Sequence, residues 1–206
     1  MDRTVFVVDD DGMVREALLR LLASAGYQAL GFASPGQFLQ QRLPGTPCCL
    51  ILDMKMPDSD GFDVVRRLEQ RGDAIPVIFI SGYGTIPDTV QAMKAGAHEF
   101  LTKPIHGDRL LEAVEEALTI AGSHLAARTE RAASTLRLET LTPREREVLE
   151  LAIGGLLNKQ IATELGISEI TVKVHKRRVM DKMQTKTLAD LVRAAERLQI
   201  SSARTR

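Results

Sequence analysis

No run of apolar residues in this chain approaches the ~20 needed to span a bilayer. The opening Met1-Asp2-Arg3 leads straight into a short strand-like run, without the basic, apolar and small-residue regions of a secretory leader. Membrane and secreted classes are therefore set aside, and a cytoplasmic location is expected. Cysteine is nearly absent: the two present, Cys48 and Cys49, are adjacent. Neighbouring cysteines seldom bond to each other, so a disulfide framework is excluded and buried thiols at a strand start are expected. His98, His106 and His124 are scattered with no metal-ligand spacing. Tryptophan is missing, yet 44% of the residues are hydrophobic and 26% charged, enough apolar material to fill real cores and to exclude disorder.

Net charge is also absent, but only as a sum. Residues 1–141 hold 14 Lys+Arg against 19 Asp+Glu, a balance of −5, and residues 142–206 hold 13 against 8, a balance of +5. Two halves of opposite sign imply two jobs, with the basic half suited to nucleic acid.

Through the acidic half, short apolar runs bounded by turn residues recur at Thr4–Val8, Tyr27–Phe32, Cys49–Leu52, Val77–Ile80 and Ala97–Leu101. Between them lie stretches of helical spacing. One carries Val14, Leu18, Leu21, Leu22 and Ala25 and stops at Gly26. Another carries Phe62, Val65 and Leu68; a third ends at Gly96. Gly just past a helix suits the left-handed residue of a C-cap, and Ser34-Pro35-Gly36-Gln37 has the capping-box pattern with Pro at the first helical position. Five strands alternating with five helices predict an α/β fold: a five-stranded parallel, doubly wound (βα)5 sheet. Ligands of such sheets bind beyond the carboxyl ends of the strands.

Polar residues gather at that edge. The first strand ends in Val8-Asp9-Asp10-Asp11, the third in Leu52-Asp53, the fourth in Ile80-Ser81-Gly82, and the fifth runs into Thr102-Lys103-Pro104. Carboxylates this close repel one another. A divalent cation relieves that repulsion, and hard oxygen ligands suit Mg²⁺, with Mn²⁺ as a substitute. Mg²⁺ keeps waters and uses one or two carboxylates, which leaves one as a nucleophile toward phosphorus. The metal and Lys103 then neutralise the phosphoryl oxygens, and Ser81 donates a hydrogen bond to one of them. For Asp11 alone, a helix N-cap is the simpler role.

With Val8-Asp9-Asp10-Asp11, Leu52-Asp53-Met54-Lys55-Met56-Pro57, Asp60-Gly61, Ser81-Gly82 and Lys103-Pro104, residues 1–120 resemble the receiver domain of two-component systems. The resemblance implies that Asp53 takes a phosphoryl group from the phosphohistidine of a sensor histidine kinase. It implies that Asp9, Asp10, Asp53 and the backbone carbonyl of Lys55 hold the metal. Ser81 and Lys103 contact the phosphate, and Ser81 and Phe100 act as the switch pair. Phe100 stands where the family often carries Tyr and lacks that hydroxyl. Lys55 and Tyr83 flank the pocket at positions that influence phosphate lifetime in the family.

Residues 121–140 read as a helical linker continuing the fifth helix, with Gly122-Ser123 as a break or bend. From residue 141 to 200 the pattern is all-α, four helices. Thr142-Pro143-Arg144-Glu145 is a capping box before Val148, Leu149, Leu151, Ala152 and Ile153. A second helix starts near Asn158 and stops at Gly166; a third runs from about Glu169 to Met183; a fourth holds Leu188, Leu191, Val192 and Leu198. Two short helices joined by a Gly-containing turn are the helix-turn-helix signature. On the third helix Val172, Val179 and Met183 form an apolar seam. Its N-terminal residues enter the major groove first, which makes Lys173, Val174 and Arg177 base-facing. Lys176, Arg178, Lys159 and Thr171 fall to phosphate contact, and His175 either joins them or packs inward.

Leu141-Thr142-Pro143-Arg144-Glu145, Asn158-Lys159-Gln160-Ile161-Ala162 and Thr171-Val172-Lys173-Val174-His175 resemble the LuxR- or GerE-type effector domain. Receiver plus this domain is similar to the FixJ/NarL group of response regulators. That resemblance implies promoter DNA and RNA polymerase as partners, a homodimer formed on phosphorylation, and no enzyme activity. Two other readings compete. A ligand-sensing LuxR-type regulator needs a cavity where the charged Asp/Ser/Lys set lies. A Mg²⁺-dependent phosphatase with an Asp nucleophile usually places a general acid two residues later, where this chain has Lys55.

Overall fold

The computed structural model describes residues 3–56, 59–82 and 86–202. Expectations for Met1, Asp2, Pro57, Tyr83 and the last four residues lie outside the described residues. The chain divides into two compact units, Met1–Ala126 and Ala127–Arg206.

The first unit alternates β1 (Thr4–Val8), α1 (Gly12–Ser24), β2 (Gln28–Phe32), α2 (Pro35–Leu39), β3 (Cys48–Asp53), a two-residue pair β4 (Lys55–Met56) and β5 (Ser59–Asp60), α3 (Gly61–Gln70), β6 (Val77–Ser81), α4 (Ile86–Lys94), β7 (Glu99–Thr102) and the start of α5 (Gly107–Glu139). The main sheet is all parallel in the order β2-β1-β3-β6-β7. Its three inner strands β1, β3 and β6 are buried on both faces, so they read as continuous apolar runs rather than as alternation; the edge strands β2 and β7 are partly exposed. Phe6, Val8, Leu50, Leu52 and Phe79 face one core with Phe38, Phe62, Val65 and Leu68. Val5, Val7, Cys49, Ile51, Ile78 and Ile80 face the other with Leu18, Leu22, Leu110, Val114 and Leu118. Each such side chain contributes about 1.5–3 kcal/mol by leaving water.

Four sequence expectations need adjustment. The fifth strand of the main sheet starts at Glu99, not Ala97, because Ala97 N–H still closes the α4 turn on Ala92. The antiparallel pair β4/β5, Lys55 with Asp60 and Met56 with Ser59, was not anticipated; two residues are too short to show a period. Ser34 accepts from Gln37 N–H, but the Gln37 side chain returns to Ala33 N–H rather than to Ser34. Gly122-Ser123 does not break α5, which is continuous from Gly107 to Glu139; Ser123 Oγ bonds the Thr119 carbonyl one turn back.

The second unit holds α6 (Pro143–Ile153), α7 (Asn158–Leu165), α8 (Glu169–Lys182) and α9 (Leu188–Arg197). Thr142 and Glu145 complete their capping box reciprocally. Gly166 ends α7 in the left-handed conformation at φ 65°, which a side chain would strain. Val148, Ala152, Ile161 and Val172 pack together, as do Leu141, Leu149, Val179, Met183 and Leu191. Helix α8 thus buries Val172 and Val179, with Met183 just past its end, and turns its charged side outward.

Candidate functional site

The strand order 2-1-3 makes β1 and β3 neighbours whose following helices leave to opposite faces: α1 packs with the second core and α3 with the first. This is the switch point at which a crevice opens beyond the strand ends. Asp9 follows β1 and Asp53 closes β3. Ser81 closes β6, and Lys103 follows β7 before a cis bond to Pro104. Ser81 is paired in register with Thr102, and its carbonyl accepts Lys103 N–H at 2.8 Å, so hydroxyl and ammonium are tied to one sheet edge.

Carboxylate oxygens of Asp9, Asp10 and Asp53 lie within 4.8 Å of one another. Asp9 is fully buried and Asp53 is 6% exposed, while Asp10 opens to solvent. Lys103 Nζ donates to Asp53 Oδ2 at 2.6 Å and to Asp9 Oδ2 at 2.9 Å. The remaining oxygens accept backbone N–H groups: Asp53 Oδ1 from Lys55 at 3.1 Å, and Asp9 Oδ1 from Asp11 at 2.9 Å. Burial pushes the Asp9 carboxyl above the usual carboxylate range against the pull of Lys103. Burial also works to lower the Lys103 ammonium, but its hydrogen bonds and charge interactions with Asp53 and Asp9 outweigh this and hold it above its ordinary value. Three carboxylates and one ammonium leave negative charge uncompensated. The donor set is all hard oxygen, partly open to water through Asp10, and it fits a divalent cation such as Mg²⁺.

The other positions read in the sequence fall as follows. Asp11 is the N-cap of α1, accepting from Met13 and Val14 N–H. The Lys55 side chain is exposed. Phe100, half-buried and registered with Phe79, rests on the first core. Arg15, which sequence reasoning did not select, donates to the carbonyl oxygens of Asp9 and Asp10; its helical position carries no signal of that reach.

In the second unit Lys173, Val174, Arg177 and Arg178 are exposed on α8, and Lys159 is exposed on the first turn of α7. Lys176 is half-buried. Thr171 bonds Ser168 as part of the α8 cap. His175 is half-buried and its Nδ1 has no hydrogen-bond partner among the described residues. Lys173, Lys176 and Arg177 join Lys186, Asn158 and Thr185 around a concavity of about 490 Å³. Lys186 and Asn158 were missed as members because they lie outside α8, Asn158 at the start of α7 and Lys186 in the segment before α9. Below, Glu145 is buried and accepts from Lys182 Nζ at 2.6 Å. Burial alone would raise its pKa, but Lys182 and the Thr142 N–H together hold it below the usual range.

An α/β domain with an acidic switch-point crevice, followed by a helix-turn-helix with a cationic helix, defines a two-domain regulatory protein. Residues 5–115 match the family of response regulator receiver domains, and residues 139–195 match the bacterial regulatory proteins of the luxR family. Nodulation protein W of Bradyrhizobium diazoefficiens is 43% identical over 201 residues, covering 98% of this chain and 88% of that protein. The response regulator protein TmoT of Ectopseudomonas mendocina is 44% identical over 200 residues, 97% of this chain and 91% of its own length. Among solved structures, that of the response regulator StyR shares 46% identity with a TM-score of 0.83, over 95% of this chain and 99% of that one. Full-length FixJ from B. japonicum shares 36% with a TM-score of 0.56, over 96% and 97%. The chain belongs to the response regulators of two-component systems, with a receiver domain and a LuxR-type DNA-binding domain, and it regulates transcription. No helix among the described residues is long and apolar enough to cross a membrane.

Proposed function

We propose that Asp53 is the phosphoacceptor and that its phosphorylation by a sensor histidine kinase controls promoter binding through α8. The observation that carries this reading is the Lys103 ammonium shared between Asp53 and Asp9 at 2.6 and 2.9 Å, beside a third carboxylate on Asp10. Asp9, Asp10, Asp53 and the Lys55 carbonyl would hold Mg²⁺ or Mn²⁺. When bound, the cation supplies positive charge to the oxygens of the transferring group. A carboxylate oxygen of Asp53 attacks phosphorus of the phosphohistidine. The O–P bond forms as the P–N bond breaks, and the imidazole leaves with the electron pair and is protonated. Lys103 and the Ser81 hydroxyl stabilise charge that develops on the phosphoryl oxygens. Hydrolysis of the acyl phosphate by water resets the site, so the receiver has no external product and the chain is not an enzyme toward other substrates.

Phosphate drawing on Ser81, the β6 residue paired with Thr102, repacks Phe100 two residues back along β7. The receivers then pair, and two copies of α8 meet half-sites about one helical turn, ~34–36 Å, apart. Lys173, Val174 and Arg177 reach base edges. Lys176, Arg178, Lys159, Thr171 and His175 lie on the phosphate side, and RNA polymerase is the downstream partner in the cytoplasm. The test is labelling with radioactive acetyl phosphate, followed by sizing and footprinting with and without beryllofluoride. Label is expected on the parent chain and not on Asp53→Asn, with a larger species and a protected promoter only when the mimic is present. Activation of Asp53→Asn equal to the parent's overturns the reading.

A further inference from the structure

The ladder of β1 ends at Val8, paired with Phe32 on one side and Leu52 on the other. Asp9 N–H still reaches the Phe32 carbonyl at 3.2 Å, but the carbonyls of Asp9 and Asp10 lie past the sheet pairing. Both are taken by one side chain. Arg15 Nη1 donates to the Asp9 oxygen at 2.7 Å and, more weakly, to the Asp10 oxygen at 3.4 Å. Arg15 sits in the first turns of α1, where its own N–H bonds the Asp11 carbonyl at 2.9 Å. Its side chain therefore folds back from the helix onto the strand end that precedes it.

The route of that side chain crosses β2 at Gly31. A Cβ built on Gly31 would stand 3.2 Å from Arg15 Cγ, 3.3 Å from Arg15 Cδ and 2.8 Å from Leu19 Cδ1. Gly31 is absent from the positive-φ residues, so what this strand position uses is missing volume rather than backbone freedom. A glycine inside a strand commonly marks such a close approach. Leu19 and Arg15 fill the space one helical turn apart.

We propose that Arg15 is a positioning residue for the carboxylate pair Asp9/Asp10, and that Gly31 is the gap that lets it act. The guanidinium fixes the backbone from which both carboxylates project, and Asp11 N–H fixes Asp9 Oδ1 from the other side. Asp10 is exposed, so its backbone anchor decides how often its carboxylate faces Asp53. This inference rests on the reading of the acidic cluster as a cation site. Two physical effects of Arg15 oppose each other there. Its permanent positive charge repels a cation, and its anchoring of two ligands favours one. Outer-shell groups that orient ligands are typically worth 10–100-fold in metal affinity, and a half-exposed guanidinium is strongly screened, so anchoring dominates.

The test uses the full chain and Mn²⁺, followed by electron paramagnetic resonance, with phosphorylation by acetyl phosphate measured across Mn²⁺ concentrations. Arg15→Ala is expected to weaken Mn²⁺ binding about tenfold or more, Gly31→Ala to shift it in the same direction, and Arg15→Lys to recover part of the loss. The phosphorylation rate at saturating Mn²⁺ should stay within about twofold, because no reacting atom has been touched. Should Arg15→Ala not fold, Arg15→Lys with its charge kept carries the comparison. Equal or tighter Mn²⁺ binding by the folded variants overturns the inference and leaves the cation site standing. A parent chain that binds no Mn²⁺ overturns the cation reading, and this inference with it.

Discussion

Glu145 shows how one side chain can serve two structures at once. Its carboxylate closes the capping box of α6 by accepting Thr142 N–H at 2.9 Å, and it anchors Lys182 from the end of α8 at 2.6 Å. Lys182 also donates to the Thr140 carbonyl, so the start of α6 and the end of the proposed recognition helix share one polar knot. Removing the carboxylate leaves an orphan backbone N–H and an ammonium that is 35% exposed and can regain water. Glu145→Ala should therefore cost about 1–3 kcal/mol of stability at pH 7, read from denaturant unfolding of the second unit. The pH dependence has a definite sign. Because the folded-state pKa lies below the ordinary 4.5, the contribution is fully present above that value and disappears as pH falls through the folded one. The stability gap between the parent and Glu145→Gln should narrow below pH ~4.5; a gap that is constant down to acid unfolding contradicts the assignment. The cysteines offer the contrasting case of buried free thiols. Desolvation pushes Cys48 up to about 11 and Cys49 higher still, so neither is a thiolate at neutral pH.

At the scale of elements, the short β4/β5 pair lies between β3, which carries Asp53, and α3, and Gly61 lies at its exit. A Cβ there would meet Phe79 Cε1 at 2.8 Å, the Asp53 carbonyl at 3.2 Å and Met54 Cα at 3.3 Å. Two of those neighbours are backbone of the acidic pocket and cannot swing aside. Gly61→Ala should destabilise the receiver by about 1–3 kcal/mol through overpacking and slow Asp53 labelling at fixed Mg²⁺. Unchanged stability together with unchanged labelling would show that the end of β3 is softer than its contacts imply. On α8, the proposed contacts around the cationic concavity are of two kinds. Arg177→Ala should lose about 1–3 kcal/mol on the preferred site and discriminate less among sequences. Lys186→Ala, in the segment before α9, should weaken all sequences alike and reduce the salt slope by about 0.9. Identical behaviour of the two variants would place both on phosphates. The sequence made the strand and helix order readable because apolar runs and glycine stops are local signals, and the acidic set because its members share one sheet edge. Arg15, Lys186 and the Glu145–Lys182 knot were not readable. The knot depends on a long side chain that only the folded topology brings near its partner, as Lys182 crosses 37 positions to Glu145; Arg15 folds back onto the strand end just before its own helix, and Lys186 lines the concavity from outside α8.

For the whole molecule, the division into Met1–Ala126 and Ala127–Arg206 gives each unit its own apolar cores. Among the described residues, the receiver's two clusters run no further than Leu118, and those of the second unit begin at Leu138. Cooperativity follows shared burial, so each unit should melt as its own transition even though α5 belongs to both. A ligand stabilises only the unit that binds it, by RT ln(1 + [L]/Kd), about 2.7 kcal/mol at a hundredfold excess over Kd. Calorimetry of the full chain with Mg²⁺ and beryllofluoride should therefore move the receiver transition upward by several degrees. In dilute protein, where pairing is minimal, the second transition should stay in place. A duplex carrying the promoter site should do the reverse, and Asp53→Asn should abolish the first shift while keeping the second. If the mimic raised both transitions equally at the lowest protein concentration, the two cores would be energetically coupled, and signalling would have to run through their shared stability rather than through receiver pairing.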